Sequence, residues 1–313
     1  MSKRKQQYSD RPSDYLGPRY WPTWIGYGCI WLIAHLPYRL QIWLGKRLGH
    51  LMYYLAKSRR RVCARNIELC FPELSPEQQR KLVIDTFKSN GAGIMEIGLA
   101  WCRKPSDFSH MVEETGLENL IAAHQEGRGV LLVAAHFCTI EFVGSLMSLL
   151  YPVDITYRAH KNPLFDALMK RGRKRLYGAV VERKEVRAAL RRLKEGNVLW
   201  YAADQDYGPK HSIFADFFGI PAASITATTK FAGFNNSRVV FMSHYRKEDN
   251  SGYHLYFSEP LEHYPTGNDV QDVARINGYI EAAIRKAPDQ YIWLHRRFKT
   301  RPPGEPDLYK KRS

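Results

Sequence analysis

The sequence predicts an α/β protein: a mostly parallel central sheet flanked by helices, preceded by an N-terminal hydrophobic membrane-anchoring helix. Three observations carry this expectation. The runs GVLLVAA (129–135) and VLWYAA (198–203) are apolar throughout, as in strands covered on both faces. Around them, strand-like and helix-like segments alternate, the pattern of right-handed crossovers in a parallel sheet. Finally, residues 20–38 form a run of 19 positions without a formal charge.

A chain of 313 residues buries about three quarters of its unfolded surface and needs no disulfide or metal to hold its core. The hydrophobic and charged fractions, 44% and 25%, exclude a disordered or collagen-like chain. A net charge of +16 calls for an anionic partner, whether nucleic acid, an acidic protein or an anionic membrane. The distribution of that charge is informative. Residues 1–61 carry a net +10, residues 158–194 another +10 and residues 295–313 a net +5, which leaves −9 for the rest. The protein is an acidic-to-neutral body with three basic segments.

The first basic segment is also the apolar one. The stretch YWPTWIGYGCIWLIAHLPY, bracketed by Arg19 and Arg39, spans about 28 Å as a helix, close to the ~30 Å hydrocarbon thickness of a bilayer. Its three Trp and three Tyr suit a membrane interface. Leu40, Leu44, Leu48, Leu51 and Leu55 follow at the spacing of one helix face, and KSRRR (57–61) is a run of the kind that binds anionic lipid. Residues 1–61 are therefore expected to form a membrane anchor, spanning or re-entrant, and residues 62–313 a single α/β domain. Basic residues number five before the apolar run (Lys3, Arg4, Lys5, Arg11, Arg19) and eight from Arg39 to Arg65, which places the larger part on the cytoplasmic side. Five cysteines without disulfide or zinc spacing agree with a reducing compartment.

Ser75 and Gln78 mark a helix start with a capping box; this helix is expected to run to Asn90, followed by an apolar stretch over 91–102. Strands are expected at 129–135, 154–157, 178–181, 198–203, 239–245 and 253–258. Helices are expected at 141–150, 163–176, 184–195, 222–234 and 270–287.

Ligands in open parallel sheets sit beyond the carboxyl ends of the strands, and both central runs end in ionisable residues. GVLLVAA runs into HFCTIE (136–141) and VLWYAA into DQDYG (204–208). His136 with Glu141 has the makings of a base and its orienting acid, or of a structural cap. Five residues turn about 500° on a helix, so the strand-to-helix turn itself must bring the two together. Cys138 is a weaker nucleophile candidate, and His136 with Asp204 and Asp206 a minor metal candidate. No nucleophile elbow, phosphate loop, dinucleotide fingerprint or HExxH motif occurs. In the second basic segment Arg158 follows a strand, and Arg173 and Arg175 flank the apolar face of the next helix; either arginine can bind a phosphate or face an oxyanion. The helical wheel does not choose between them.

The runs YWPTWIGYGCIWL, ARNIELCFPELS (64–75), HFCTIE, WYAADQDYGPKHSIFADFFG (200–219) and WLHRRFKTRP (293–302) resemble the late acyltransferases of lipid A biosynthesis, nearest the lauroyl-transferring type, over about residues 18–303. The resemblance implies an enzyme of the bacterial inner membrane, with its catalytic domain on the cytoplasmic face. It implies transfer of a laurate-like chain from an acyl carrier protein thioester to a hydroxyacyl chain of a Kdo-linked lipid A precursor, without cofactor or metal. The family's His-x4-acid motif falls on His136 and Glu141, its essential arginine on Arg173 and its essential aspartate on Asp204. Arg158 and Asp206 are added as substrate-binding candidates. The expected partners are the carrier protein, the lipid A precursor and an anionic membrane. Nucleic acid is set aside, because the basic residues begin with an apolar segment and no nucleic-acid motif occurs; another glycerolipid-type acyltransferase is the nearer alternative.

Overall fold

The computed structural model describes residues 9–310. Lys3, Arg4 and Lys5 of the basic flank, and Lys311 and Arg312 of the basic tail, lie outside the described residues. The main sheet comprises β1 (Val112–Thr115), β2 (Val130–Ala134), β3 (Asp154–Tyr157), β4 (Val180–Glu182), β5 (Val198–Ala202), β8 (Arg238–Arg246) and β9 (Tyr253–Phe257), in the order β1-β9-β8-β2-β5-β3-β4. Every pairing is parallel except β8 with β9, so the sheet is mostly parallel, as expected.

The helices are α1 (Trp21–Ala34), α2 (Tyr38–Leu55), α3 (Lys57–Cys70), α4 (Pro76–Cys102), α5 (Leu117–Gln125), α6 (Ile140–Leu150), α7 (Pro163–Arg173), α8 (Val186–Lys194), α9 (Ala227–Asn235) and α10 (Asp269–Lys286). They explain why the two central runs are continuously apolar. Leu131 and Val133 of β2, with Leu199 and Tyr201 of β5, join a core that includes α3, α8, α9 and α10. Val130, Leu132, Ala134, Val198 and Trp200 point the other way, against α5 and α6. Alternate residues serve opposite faces, and burying each of these larger side chains contributes about 1.5–3 kcal/mol.

Helix α4 begins at the expected capping box: Gln78 N–H donates to Ser75 Oγ at 3.2 Å, and Ser75 N–H to Gln78 Oε1 at 2.8 Å. It continues through Gly91 and Gly93 for 27 residues. These glycines do not interrupt the helix because the backbones of α2 and Cys138 occupy the space their side chains would fill. The helix expected over 222–234 starts late. Residues Ile220–Ile225 form β7, an antiparallel hairpin with β6 (Ser212–Phe217), and α9 begins only at Ala227. Small residues at 222–224 concealed the alternation that marks a strand.

The N-terminal segment leaves the spanning form of the expected anchor without support. Among the described residues no helix is long and apolar enough to cross a membrane. The 19-residue run divides, because Pro37 has no amide to continue a helix. Helix α1 keeps 14 residues, about 21 Å, and α2 starts anew at Tyr38. The leucine stripe of α2 faces outward, with Leu40, Leu51 and Leu55 exposed. Its opposite face, Gly45 and Gly49, lies against the backbone of α4; a Cβ on Gly45 would come within 2.6 Å of Ala92 Cα. Trp21, Ile25, Trp31, Leu32 and Trp43 are exposed as well.

Candidate active site

Strands β2 and β5 are parallel neighbours with Ala134 opposite Ala202. His136 and Asp204 each lie two residues beyond, at the same carboxyl edge. His136 Nδ1 is 2.6 Å from Asp204 Oδ1, and the His136 backbone N–H donates to the same oxygen at 3.1 Å. The Tyr291 hydroxyl donates to Asp204 Oδ2 at 3.0 Å. Asp204 is buried (side chain 2% exposed), whereas the His136 ring keeps 27% and lines a cavity of about 970 Å³. Among the described residues nothing bonds Nε2 of His136. The ring is thus held at one nitrogen and presents the other to the cavity, the arrangement a general base needs.

Burial works to lower the pKa of His136, but the charge and hydrogen bond of Asp204 outweigh it and raise the value. For Asp204 burial works upward, and His136, its backbone amide and Tyr291 together hold the carboxyl down at about 2. Asp204 is therefore a carboxylate at neutral pH.

Glu141 does not orient His136, which corrects the reading of these two as a directly paired base and acid. In the first turn of α6 its carboxylate turns to Arg173, the last residue of α7: Arg173 Nη2 bonds Oε1, and Nε lies 3.4 Å from Oε2. Trp101 Nε1 donates to Oε2 at 3.1 Å. The physical reason is strand adjacency, which brings Asp204 to the imidazole from the neighbouring strand. Gly172 makes room for this arrangement, since a Cβ there would lie 2.8 Å from the Trp101 ring. Burial works against the charge of Arg173, but Glu141 overrides it and raises the guanidinium pKa.

Arg173, not Arg175, lines the cavity; Arg175 is committed to the carbonyls of Trp101 and Arg103, at 2.8 and 2.9 Å. Arg158 is exposed and lines the cavity. Asp206 does not. Its carboxylate takes hydrogen bonds from Thr300 N–H (2.7 Å), Thr300 Oγ1 (2.9 Å) and Gly208 N–H (2.8 Å), so it fastens the loop after β5 to the C-terminal segment. This geometry does not support the reading of Asp206 as a substrate-binding residue. Burial pushes the Cys138 thiol up to about 12, which removes it as a thiolate nucleophile. Among the described residues no cluster of His, Cys, Asp and Glu is arranged to hold a metal.

The cavity wall is apolar where Ile155, Met169, Leu190, Trp200 and Phe231 face it, and cationic where Arg158, Arg173, Arg183, Lys184 and Lys230 do. Phe234 at its edge is 62% exposed. Such a lining is complementary to an apolar chain beside an anionic group. Sequence reasoning missed Trp101, Tyr177, Lys230 and Tyr291. Tyr291 had a signal, its place just before the WLHRR run, but nothing local in the sequence brings it to Asp204.

Residues 10–300 match the family described as "Bacterial lipid A biosynthesis acyltransferase". The chain is 40% identical over 297 residues to the lipid A biosynthesis palmitoleoyltransferase of Escherichia coli K12, covering 95% of this chain and 97% of that protein. It is also 40% identical over 295 residues to the lipid A biosynthesis lauroyltransferase of the same strain, covering 94% and 96%. Identity to that strain's lipid A biosynthesis myristoyltransferase is 27% over 297 residues, covering 94% and 92%.

Proposed function

The chain belongs to the bacterial lipid A biosynthesis acyltransferases, and we propose that it moves a laurate-like acyl chain from an acyl carrier protein thioester to the hydroxyl of a hydroxyacyl chain on a Kdo-linked lipid A precursor. The observation that carries the mechanism is His136, fixed at Nδ1 by ionised Asp204 and open at Nε2 to a partly apolar cavity of about 970 Å³. His136 Nε2 takes the proton of the acceptor hydroxyl as its oxygen attacks the thioester carbonyl. A C–O bond forms, the C–S bond breaks, and the imidazolium returns the proton to the departing thiolate. Arg173, held by Glu141, offers a fixed cation to the developing oxyanion or to an acceptor phosphate. Arg158 extends the same cationic wall.

Residues 1–61 dock on the membrane and residues 62–313 perform the transfer, on the cytoplasmic face of the bacterial inner membrane. The exposed apolar side chains of α1 and α2, with Arg39, Arg47 and the 57–61 run beside them in sequence, fit an anionic leaflet entered in its plane. The acidic carrier protein meets the basic 158–194 segment, an attraction that salt weakens.

Purified enzyme is offered a panel of acyl carrier thioesters with a Kdo-linked lipid A precursor, and the products are read by mass spectrometry. The expected product is the acceptor plus one acyl group, with laurate preferred. Absence of product with every thioester, or undiminished transfer by His136→Ala, overturns the reading.

A further inference from the structure

We propose that Tyr291 is a positioning residue for acyl transfer, acting through Asp204 to set how strongly the carboxylate holds a proton on His136. The inference rests on His136 being the general base. Two independent contacts tie Tyr291 to that base. Its hydroxyl donates to Asp204 Oδ2 while Oδ1 is occupied by His136. Its backbone pairs with Phe137 in an antiparallel bridge, flanked by Ile292 N–H to His136 O at 3.1 Å and Cys138 N–H to Gln290 O at 2.8 Å. The short segment 290–292 thus fixes the backbone of the base and the far oxygen of its acid together.

Tyr291 is 3% exposed and wedged by its ring against Trp293, with centroids 4.7 Å apart. Gln290 locks the segment by exchanging two hydrogen bonds with the Arg246 backbone, both 2.8 Å. Burial and the ring contact with Trp293 hold the phenol with its donor aimed at Asp204.

The other ionisable groups near the pair are either paired elsewhere or pushed toward their neutral form by burial. Arg173 on α7 is ion-paired with Glu141 on α6, and Asp206 is bound to Thr300. On β8, burial keeps His244 neutral. In the C-terminal segment, Arg297 donates to Ala223 O and Ser224 Oγ, and burial lowers the pKa of His295. On β5, burial raises the Tyr201 phenol, and on α3 it raises the Cys70 thiol beside Tyr291. The donor to Oδ2 is Tyr291.

The sign follows from charge. A hydrogen bond to Oδ2 spreads the carboxylate charge, which weakens its grip on the imidazolium. Tyr291→Phe removes that bond and keeps the ring. Its acidic limb of kcat/KM against pH is expected to move up by roughly half to one unit, with activity lost most at low pH and largely recovered above the limb. Replacing Tyr291 with 3-fluorotyrosine, a stronger donor of the same shape, moves the limb downward and serves if the Phe variant does not fold, as judged by its melting transition. A limb unmoved in the folded variants, or moved in the same direction by both, overturns the proposal. His136→Ala is run in parallel: retained activity there defeats the general-base reading itself, whereas an inactive His136→Ala with unmoved limbs defeats only the role of Tyr291.

Discussion

His136 and Asp204 are separated by 68 positions in the chain, yet their side chains meet at 2.6 Å because each stands two residues past a register-matched pair, Ala134 and Ala202. Asp204→Asn keeps the shape and removes the charge. Since Asp204 is what raises the His136 pKa against the pull of burial, the variant's acidic limb moves to lower pH while the maximal rate falls about 10² to 10⁴-fold, as when a general base loses its support. A pH–rate profile with the purified variant checks both. A rate within threefold of the parent contradicts the arrangement.

Glu141 and Arg173 are each 17% exposed and joined by a fork, so they act as a unit. A double-mutant cycle of Glu141→Gln and Arg173→Met is expected to give a coupling of about 1–3 kcal/mol in unfolding free energy. Arg173→Lys keeps the charge and loses the planar fork, so its acyl transfer falls while the fold is retained. Additive single effects in the cycle count against the pair.

The fold was legible where pattern and neighbourhood coincide. The runs at 129–135 and 198–203 read as strands covered on both faces, and the capping box at Ser75 located the start of α4 to the residue. What was not legible depended on strand order. Glu141 follows His136 closely in sequence and invited pairing with it, whereas Asp204 becomes its neighbour only once β5 lies beside β2. Tyr291 lies farther still. Sequence alone does not say that two backbones approach at Gly45, Gly49 and Gly91, where α2 meets α4. Residues 20–38 read as one uncharged anchor, spanning or re-entrant, whereas the fold divides them between α1, a turn at Pro37 and the start of α2.

Glu96 and Arg246 form a second buried pair, 2.6 Å apart and 1% and 3% exposed, with the Tyr253 hydroxyl donating to the same Glu96 oxygen. Arg246 also anchors Gln290, behind the His136 turn. Arg246→Met leaves a carboxylate buried with no opposing charge, and is expected to cost about 3–5 kcal/mol; adding Glu96→Leu recovers much of that loss. Denaturant unfolding of the two single variants and the double variant tests this. A double variant as unstable as the sum of the singles refutes it.

Burial holds His244 neutral in the fold, with its pKa lowered to about 3, and its Nδ1 meets the Thr139 hydroxyl at 2.9 Å. The unfolded chain takes up a proton at this residue below about pH 6.5, whereas the native state does so only near 3. Its contribution to stability is therefore full above pH 6.5 and drains away as the pH falls toward 3. His244→Phe should flatten the stability curve by about one proton across that window. An unchanged slope between pH 6 and 4, measured by denaturant unfolding, would show that His244 titrates normally.

Gly49 is packed so closely against the Phe87 carbonyl of α4 that a methyl has no space, whereas Gly26 in α1 has nothing within 4 Å of where a Cβ would stand. Both lie inside helices, where alanine is intrinsically favoured over glycine by about 1 kcal/mol. Propensity alone would make the two substitutions equivalent. Backbone contact separates them: Gly26→Ala gains the propensity term, while Gly49→Ala must push α2 off α4 and is expected to cost about 1–3 kcal/mol, the usual range for overpacking. Because α2 carries the outward leucines, that displacement should also weaken binding to anionic vesicles. Thermal unfolding and vesicle co-sedimentation of both variants decide the matter. Equal stability of the two would mean that α2 does not ride on α4 through its glycines.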